Sequence, residues 1–181
     1  LLQGLRAAAE PTRLRLLALC AHAELTVTEL TQILGQSQPR VSRHLKLLCE
    51  AELLERHREG TWAYYRLADT SDCAHLARTL VDLVPDRDDG LARDLSRLQA
   101  IKKTRAEAAA EYFRANADRW DEIRSLHVSE KEVEGALQEV IGKEPIGDFL
   151  DIGTGTGRIL EVFAPLFSRG TGIDLSHDCL L

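Results

Sequence analysis

The chain has 181 residues, of which 44% are hydrophobic and 29% charged, a balance that suits one medium or two small globular domains and excludes a disordered, collagen-like or low-complexity chain. No uncharged apolar run approaches about 18 residues, so no bilayer span is predicted, and Arg6, Glu10, Arg13 and Arg15 near the start speak against a signal peptide, which makes the cytosol the expected compartment. The net charge of −6 is uneven: residues 1–85 carry ten basic and ten acidic side chains, while residues 86–181 carry the remaining 13 basic and 19 acidic ones.

The sequence starts at Leu1 and contains 0 Met, where average usage of roughly 2% would give about four; it reads as a piece of a longer chain.

The first apolar periodicity begins behind Glu10, Pro11 and Thr12. Pro11 suits a first helical turn, where its missing N–H is no loss. Leu14, Leu17, Ala18 and Ala21 then recur at helical spacing and predict an amphipathic helix to about residue 22. Thr26 followed by Glu29 has the form of a capping box, so a second helix with Leu30, Ile33 and Leu34 starts there and stops at Gly35. Ser37 and Pro39 open a third, with Val41, Leu45 and Leu48 as its buried stripe. Two helices joined by a short glycine-containing turn make a helix-turn-helix.

Residues 36–46 hold Arg40, Arg43 and Lys46 and no acid, a basic spot on an otherwise neutral segment. Ser37, Gln38, Arg40, Ser42, Arg43, His44 and Lys46 fall at or on the N-terminal half of the second helix of the pair, the end that enters the major groove in this motif. Arg and Gln pair with guanine and adenine edges, and Ser and Lys anchor phosphates, so these are candidate contacts to double-stranded DNA. Residues 53–57 and 62–67 then read as two strands around a turn at 58–61 that contains Gly60. A two-stranded wing behind a reading helix defines a winged helix. Arg56, Arg58 and Thr61 sit on or near its tip, placed for phosphates or the minor groove.

The segments EPTRLRLL (10–17), VSRHLKLL (41–48) and REGTWAYYRL (58–67) together resemble the ArsR/SmtB family of bacterial repressors over residues 1–83. The resemblance implies a homodimer that binds an inverted-repeat operator and is released by an effector, with half-sites about 34–36 Å apart. Many members sense metals through a Cys pair on the helix before the reading helix. Here Thr26 and Thr28 occupy that stretch, and hydroxyls are poor ligands for soft metals. A second family site uses Asp and His pairs on the last helix; Asp72 and His75 lie near it without partners at the right offsets. No metal site is predicted. Cys20, Cys49, Cys73 and Cys179 form no CxxC pair and read as small buried hydrophobes, with a redox pair of Cys20 and Cys73 as the alternative.

Residues 84–90 combine Pro85, Gly90 and a charge run and read as a linker. Residues 91–125 are rich in helix formers, with Leu91, Leu95, Leu98 and Ile101 at helical spacing, and predict a packing or dimer helix. Tyr112, Phe113 and Trp120 concentrate aromatics that are scarce elsewhere; they read as core of a second domain or as a lid over a planar ligand.

A helix from about residue 129 to Gly142 precedes a strand at 148–152, a glycine-rich turn, a helix from Arg158 to about Phe167 closed by Gly170, and a second strand at 171–174. The pattern Asp151, Gly153, Gly155, Gly157 puts a carboxylate at the strand end, which repels a pyrophosphate and welcomes an ammonium. Asp174, at the end of the second strand, is placed to accept bonds from ribose hydroxyls. The strand, glycines and spaced acid, with the aromatic helix before them, resemble motif I of the class I S-adenosylmethionine-dependent methyltransferases over residues 105–181. That resemblance implies that Asp151, Gly153, Gly155 and Gly157 line the methionine and adenosine side of the ligand, that Asp174 binds the ribose, and that Tyr112 and Trp120 belong to a cap. Such a fold has about seven strands, of which two are readable here.

The fold predicted is an α+β winged helix-turn-helix domain (1–83), a helical connector or cap (84–128), and the start of an α/β Rossmann-like, class I methyltransferase domain (129–181). The function predicted is a homodimeric DNA-binding repressor whose second domain takes S-adenosylmethionine or S-adenosylhomocysteine as effector. The alternatives are an active methyltransferase with a winged-helix targeting or autoregulatory domain, and a redox repressor. No catalytic residue is assigned.

Overall fold

In a computed structural model the chain is described over residues 1–85, 88–116, 119 and 129–175. It divides into two compact units, Leu1–Lys103 and Thr104–Leu181.

The first unit contains α1 (Leu2–Ala8), α2 (Pro11–His22), β1 (Leu25–Thr26), α3 (Val27–Leu34), α4 (Gln38–Glu50), β2 (Leu54–Glu59), β3 (Trp62–Leu67), α5 (Ala74–Asp82) and the first half of α6 (Asp89–Asn116). Glu10 caps α2 by accepting a hydrogen bond from the Arg13 backbone N–H at 2.9 Å. At the start of α3 the reciprocal capping box is complete: Thr26 Oγ1 accepts from the Glu29 N–H, and the Glu29 carboxylate accepts from the Thr26 N–H at 2.8 Å. Gly35 ends α3 in the left-handed conformation (φ 63°), which a residue with a Cβ adopts only at a cost. Val41, Leu45 and Leu48 are buried on α4, as their spacing predicts.

The buried residues of α2 differ from the expected stripe. Leu17 and Ala18 are buried, but Leu14 is half-buried and Ala21 exposed, while Leu16, Leu19 and Cys20 are buried as well. The reason is α6. Asp94, 1% exposed, holds Arg15 of α2 through two hydrogen bonds of 2.5 and 2.7 Å, and Lys102 donates to the His22 carbonyl at 2.9 Å. These contacts lay α6 along α2, and Leu98, Leu95 and Ile101 close the core there. The helix predicted at 91–125 therefore begins at Asp89, and its first turns belong to the winged unit. Residues 120–125 of that expectation lie outside the described residues.

The wing is a three-stranded antiparallel sheet in the order β1-β3-β2. The hairpin extends further than predicted: Arg58 pairs with Ala63 and Glu59 with Trp62, so the turn is only Gly60 and Thr61, with Gly60 at φ 57°. Strand β1, which was not predicted, pairs Leu25 with Tyr65 and Thr26 with Tyr64.

The second unit contains α7 (Glu130–Ile141), β4 (Ile146–Ile152), α8 (Arg158–Phe163), a short 3-10 turn (Ala164–Leu166) and β5 (Phe167–Ile173), with β4 and β5 parallel. Arg158 donates to Glu134 at 2.7 Å and ties α8 to α7. Phe149 stacks on Phe163 and Phe167, covering one face of the strand pair. Gly170 does not close the helix, which ends at Phe163; it lies within β5. A Cβ on Gly170 would meet the Phe167 ring at 2.6 Å, and one on Gly172 would meet Thr154 at 2.7 Å, so close packing selects both glycines.

Candidate nucleic-acid interface

Six of the seven residues expected at the reading helix are exposed together. Ser37 precedes α4 without a side-chain cap bond, and Gln38, Arg40, Ser42, Arg43 and Lys46 project from its first turns on the sides left free by Val41, Leu45 and Leu48. Lys46 lies 3.7 Å from Glu50, an exposed pair of little energetic consequence. A helix with a fixed apolar back and a basic, hydrogen-bonding front has the form that enters a major groove.

His44 departs from the expected group. Its side chain is 14% exposed and packs inward, with Nδ1 3.7 Å from Glu10 Oε2. Burial is the largest influence and lowers the pKa of the ring. Glu10 opposes that shift, and Arg13, Arg40 and Arg43 reinforce it. Burial raises the pKa of Glu10, but hydrogen bonds from Arg13 and Thr12 outweigh it and leave the carboxyl below its ordinary range.

The register of the wing separates its two faces. Arg56 and Arg58 share one face with Tyr65 and Ala63, whereas Glu55, His57 and Glu59 share the other with Arg66, Tyr64 and Trp62. His57 stacks on Tyr64 with ring centroids 5.6 Å apart, and Arg66 binds Glu55 at 2.9 Å, which raises the guanidinium pKa and lowers that of the carboxyl. Arg56, Arg58 and Thr61 are exposed, and the opposite face is acidic and aromatic. Sequence reasoning missed Trp62, which is 59% exposed beside the turn; strand alternation alone signals which face it takes.

Thr26, at the position where the family's thiolates are expected, is engaged as the cap of α3. Among the described residues no group of three His, Cys, Asp or Glu side chains converges as a metal site. Cys20, Cys49 and Cys73 are free thiols. Burial pushes the Cys20 thiol far above its ordinary range, with Cys49 as its electrostatic neighbour, and burial raises Cys49 too. A thiol held in its protonated form is the unreactive one.

In the second unit Gly153, Gly155 and Gly157 all have positive φ, and a Cβ on Gly153 or Gly157 would point into open space. Asp151 accepts a hydrogen bond from Thr154 Oγ1 at 2.8 Å, and Asp174 accepts one from the Gly155 N–H at 2.9 Å. The loop thus brings both carboxylates to its rim. Tyr112 and Phe113 lie exposed near the end of α6 in edge contact, with centroids 6.0 Å apart; Trp120 falls outside the described residues.

These features define the N-terminal unit as a winged helix-turn-helix domain. Residues 10–56 match the family described as bacterial regulatory protein, arsR family. The chain is 52% identical over 60 residues to the arsenic resistance transcriptional regulator ArsR1 of Pseudomonas putida, covering 33% of this chain and 47% of that one. It is 46% identical over 61 residues to the arsenical resistance operon repressor of Escherichia coli (33% and 52%) and 34% identical over 65 residues to the transcriptional repressor SdpR of Bacillus subtilis (36% and 72%). Among solved structures, HlyU from Vibrio cholerae is 30% identical, with a TM-score of 0.41, 46% of this chain and 89% of that one being covered. The chain belongs to the ArsR family of bacterial regulatory proteins. It spans 47% to 65% of the length of the first three curated relatives. No helix among the described residues is long and apolar enough to cross a membrane.

Proposed function

We propose that the protein is a transcriptional repressor that binds double-stranded DNA as a homodimer and responds to S-adenosylmethionine or S-adenosylhomocysteine. The observation that carries the DNA reading is the exposed front of α4, where Gln38, Arg40, Ser42, Arg43 and Lys46 stand over a closed apolar back. The repressors named among the relatives support it. Two-fold pairing is supported by the exposed leucines 1, 2 and 5 at α1 and by exposed Leu83 after α5, an apolar surface suited to a second copy. A two-fold dimer reads an inverted repeat.

The effector reading rests on the glycine loop. Asp151 suits the ammonium of an amino-acid end, Asp174 suits ribose hydroxyls, and the open space at Gly153 and Gly157 lets a ligand approach the backbone. S-adenosylmethionine, when bound to an enzyme, supplies a transferable methyl group. Here its binding, or that of S-adenosylhomocysteine, serves as the signal.

The test is binding of the full protein to a duplex recovered from a random-sequence selection, titrated with each ligand at fixed salt. A change in DNA affinity of about 5–150-fold with either ligand is expected, and Asp151→Ala or Asp174→Ala should remove the response while DNA binding remains. Ligand binding without any change in DNA affinity overturns the effector role and favours methyl transfer. Arg43→Ala should cost about 1–3 kcal/mol of DNA binding if it reads a base.

A further inference from the structure

The N-terminus of α2 forms a polar hub beneath the reading helix. Thr12 is buried and its Oγ1 accepts a hydrogen bond from Gln36, in the turn between α3 and α4, at 3.3 Å. Glu10, two residues earlier, caps α2 and faces His44 of α4 across 3.7 Å. The His44 Nδ1 atom is buried without a hydrogen-bond partner. One helix end therefore holds both the turn and the reading helix, and one of its contacts is a titratable ring whose nitrogen lies just beyond hydrogen-bond reach of a carboxylate.

We propose that His44 is a positioning residue that fastens α4 to the N-terminus of α2 when protonated, so that DNA binding takes up a proton at this ring. The inference rests on the DNA-binding reading above. The charged groups acting on the ring are Glu10 and Arg13 from the α2 end and Arg40 and Arg43 from α4 itself. Glu10 favours the imidazolium, and the three arginines oppose it. Phosphates that meet Arg40 and Arg43 cancel the field of those two guanidiniums at the ring and leave Glu10 in place. The ring is already largely buried, so covering α4 with DNA adds little desolvation. The protonated Nδ1–H then has a partner in Glu10, and α4 gains a fixed point on the core. By linkage, a bound duplex that favours the proton is itself favoured by it.

The experiment uses the whole protein and a fluorescent duplex recovered by selection from random sequence, with Kd measured at fixed ionic strength from about pH 5.5 to about pH 8, across the ordinary histidine range. Affinity should fall as pH rises, by up to about tenfold per pH unit, the limit for one linked proton. His44→Gln should remove that part of the slope. In the wild-type protein, NMR should show the His44 ring titrating at higher pH once the duplex is added, a readout that needs no variant to fold. A flat wild-type profile, an equal slope in His44→Gln, or an unshifted ring overturns the inference while the DNA reading stands. Recovery of no duplex overturns the DNA reading and this inference with it.

Discussion

In residues 1–103 Leu16, Leu25, Ile33, Leu45 and Leu48 are fully buried in one cluster that backs the reading helix, whereas in the second unit Ile152 of β4 is 75% exposed and Leu150 and Ile173 are exposed with it. The first unit fixes its site by packing. Side chains on α4 are aimed because the opposite side of the helix is locked in a core. The second unit fixes its loop by local hydrogen bonds, from Thr154 to Asp151 and from Gly155 to Asp174, on a strand pair whose described cover is one face of aromatic rings. A parallel pair of strands is ordinarily covered on both faces. A site held by a core keeps its shape when a surface residue changes; a site held by two carboxylates loses it when either is removed.

The sharpest test of that contrast is the contact that seals the first core. Arg15→Ala leaves Asp94, whose side chain is 1% exposed, without its partner, and urea denaturation followed by circular dichroism should show a loss of about 3–5 kcal/mol, typical of stranding one charge of a buried pair. Next, Leu45→Ala should cost about 2–5 kcal/mol through the cavity left behind α4, whereas Ile152→Ala on the open face of β4 should change stability by less than about 0.5 kcal/mol. Equal costs at the two sites would erase the distinction between the units. Glu10→Gln should cost about 1 kcal/mol as an altered helix cap. The pKa of this carboxyl is lowered in the folded protein. Its stabilising contribution is therefore full above the unfolded-state pKa and is lost as pH falls through the folded-state pKa. Acid titration of stability should be flatter in Glu10→Gln than in the wild type.

The elements that the sequence made legible are those governed by local chemistry. Thr26 with Glu29, Gly35, Pro39 and the 41/45/48 stripe each specify a cap, a stop or a face within a few residues of themselves. The parts that were not legible depend on distant partners. Strand β1 is two residues long, too short for any alternation, and exists because β3 lies beside it. Asp94 looks like one acid among many on a charged helix, and only the approach of Arg15 from 79 residues away makes it a core residue. His44 shares its segment with basic residues that face outward, and composition could not show that its place on α4 turns it inward toward Glu10. Gly170 reads as a helix stop because glycine so often is one, yet here it makes room for Phe167 and Leu160.

Thr26 belongs to two elements at once: it is paired with Tyr64 in the wing and it caps α3, the first helix of the reading head. The sheet therefore has a fixed origin at Thr26 and a free end at Gly60 and Thr61. Residues added at that turn would lengthen the hairpin outward and leave the pairs at Thr26 and Leu25 undisturbed. A single residue added within β3 on the tip side of Tyr64 would instead put the strand out of step, turning its outer side chains to the opposite face. The wing is in this sense a ruler with its zero mark anchored to the reading head, and under the DNA-binding function proposed above its reach along a DNA backbone can be changed by engineering without recutting the surface proposed to read the bases.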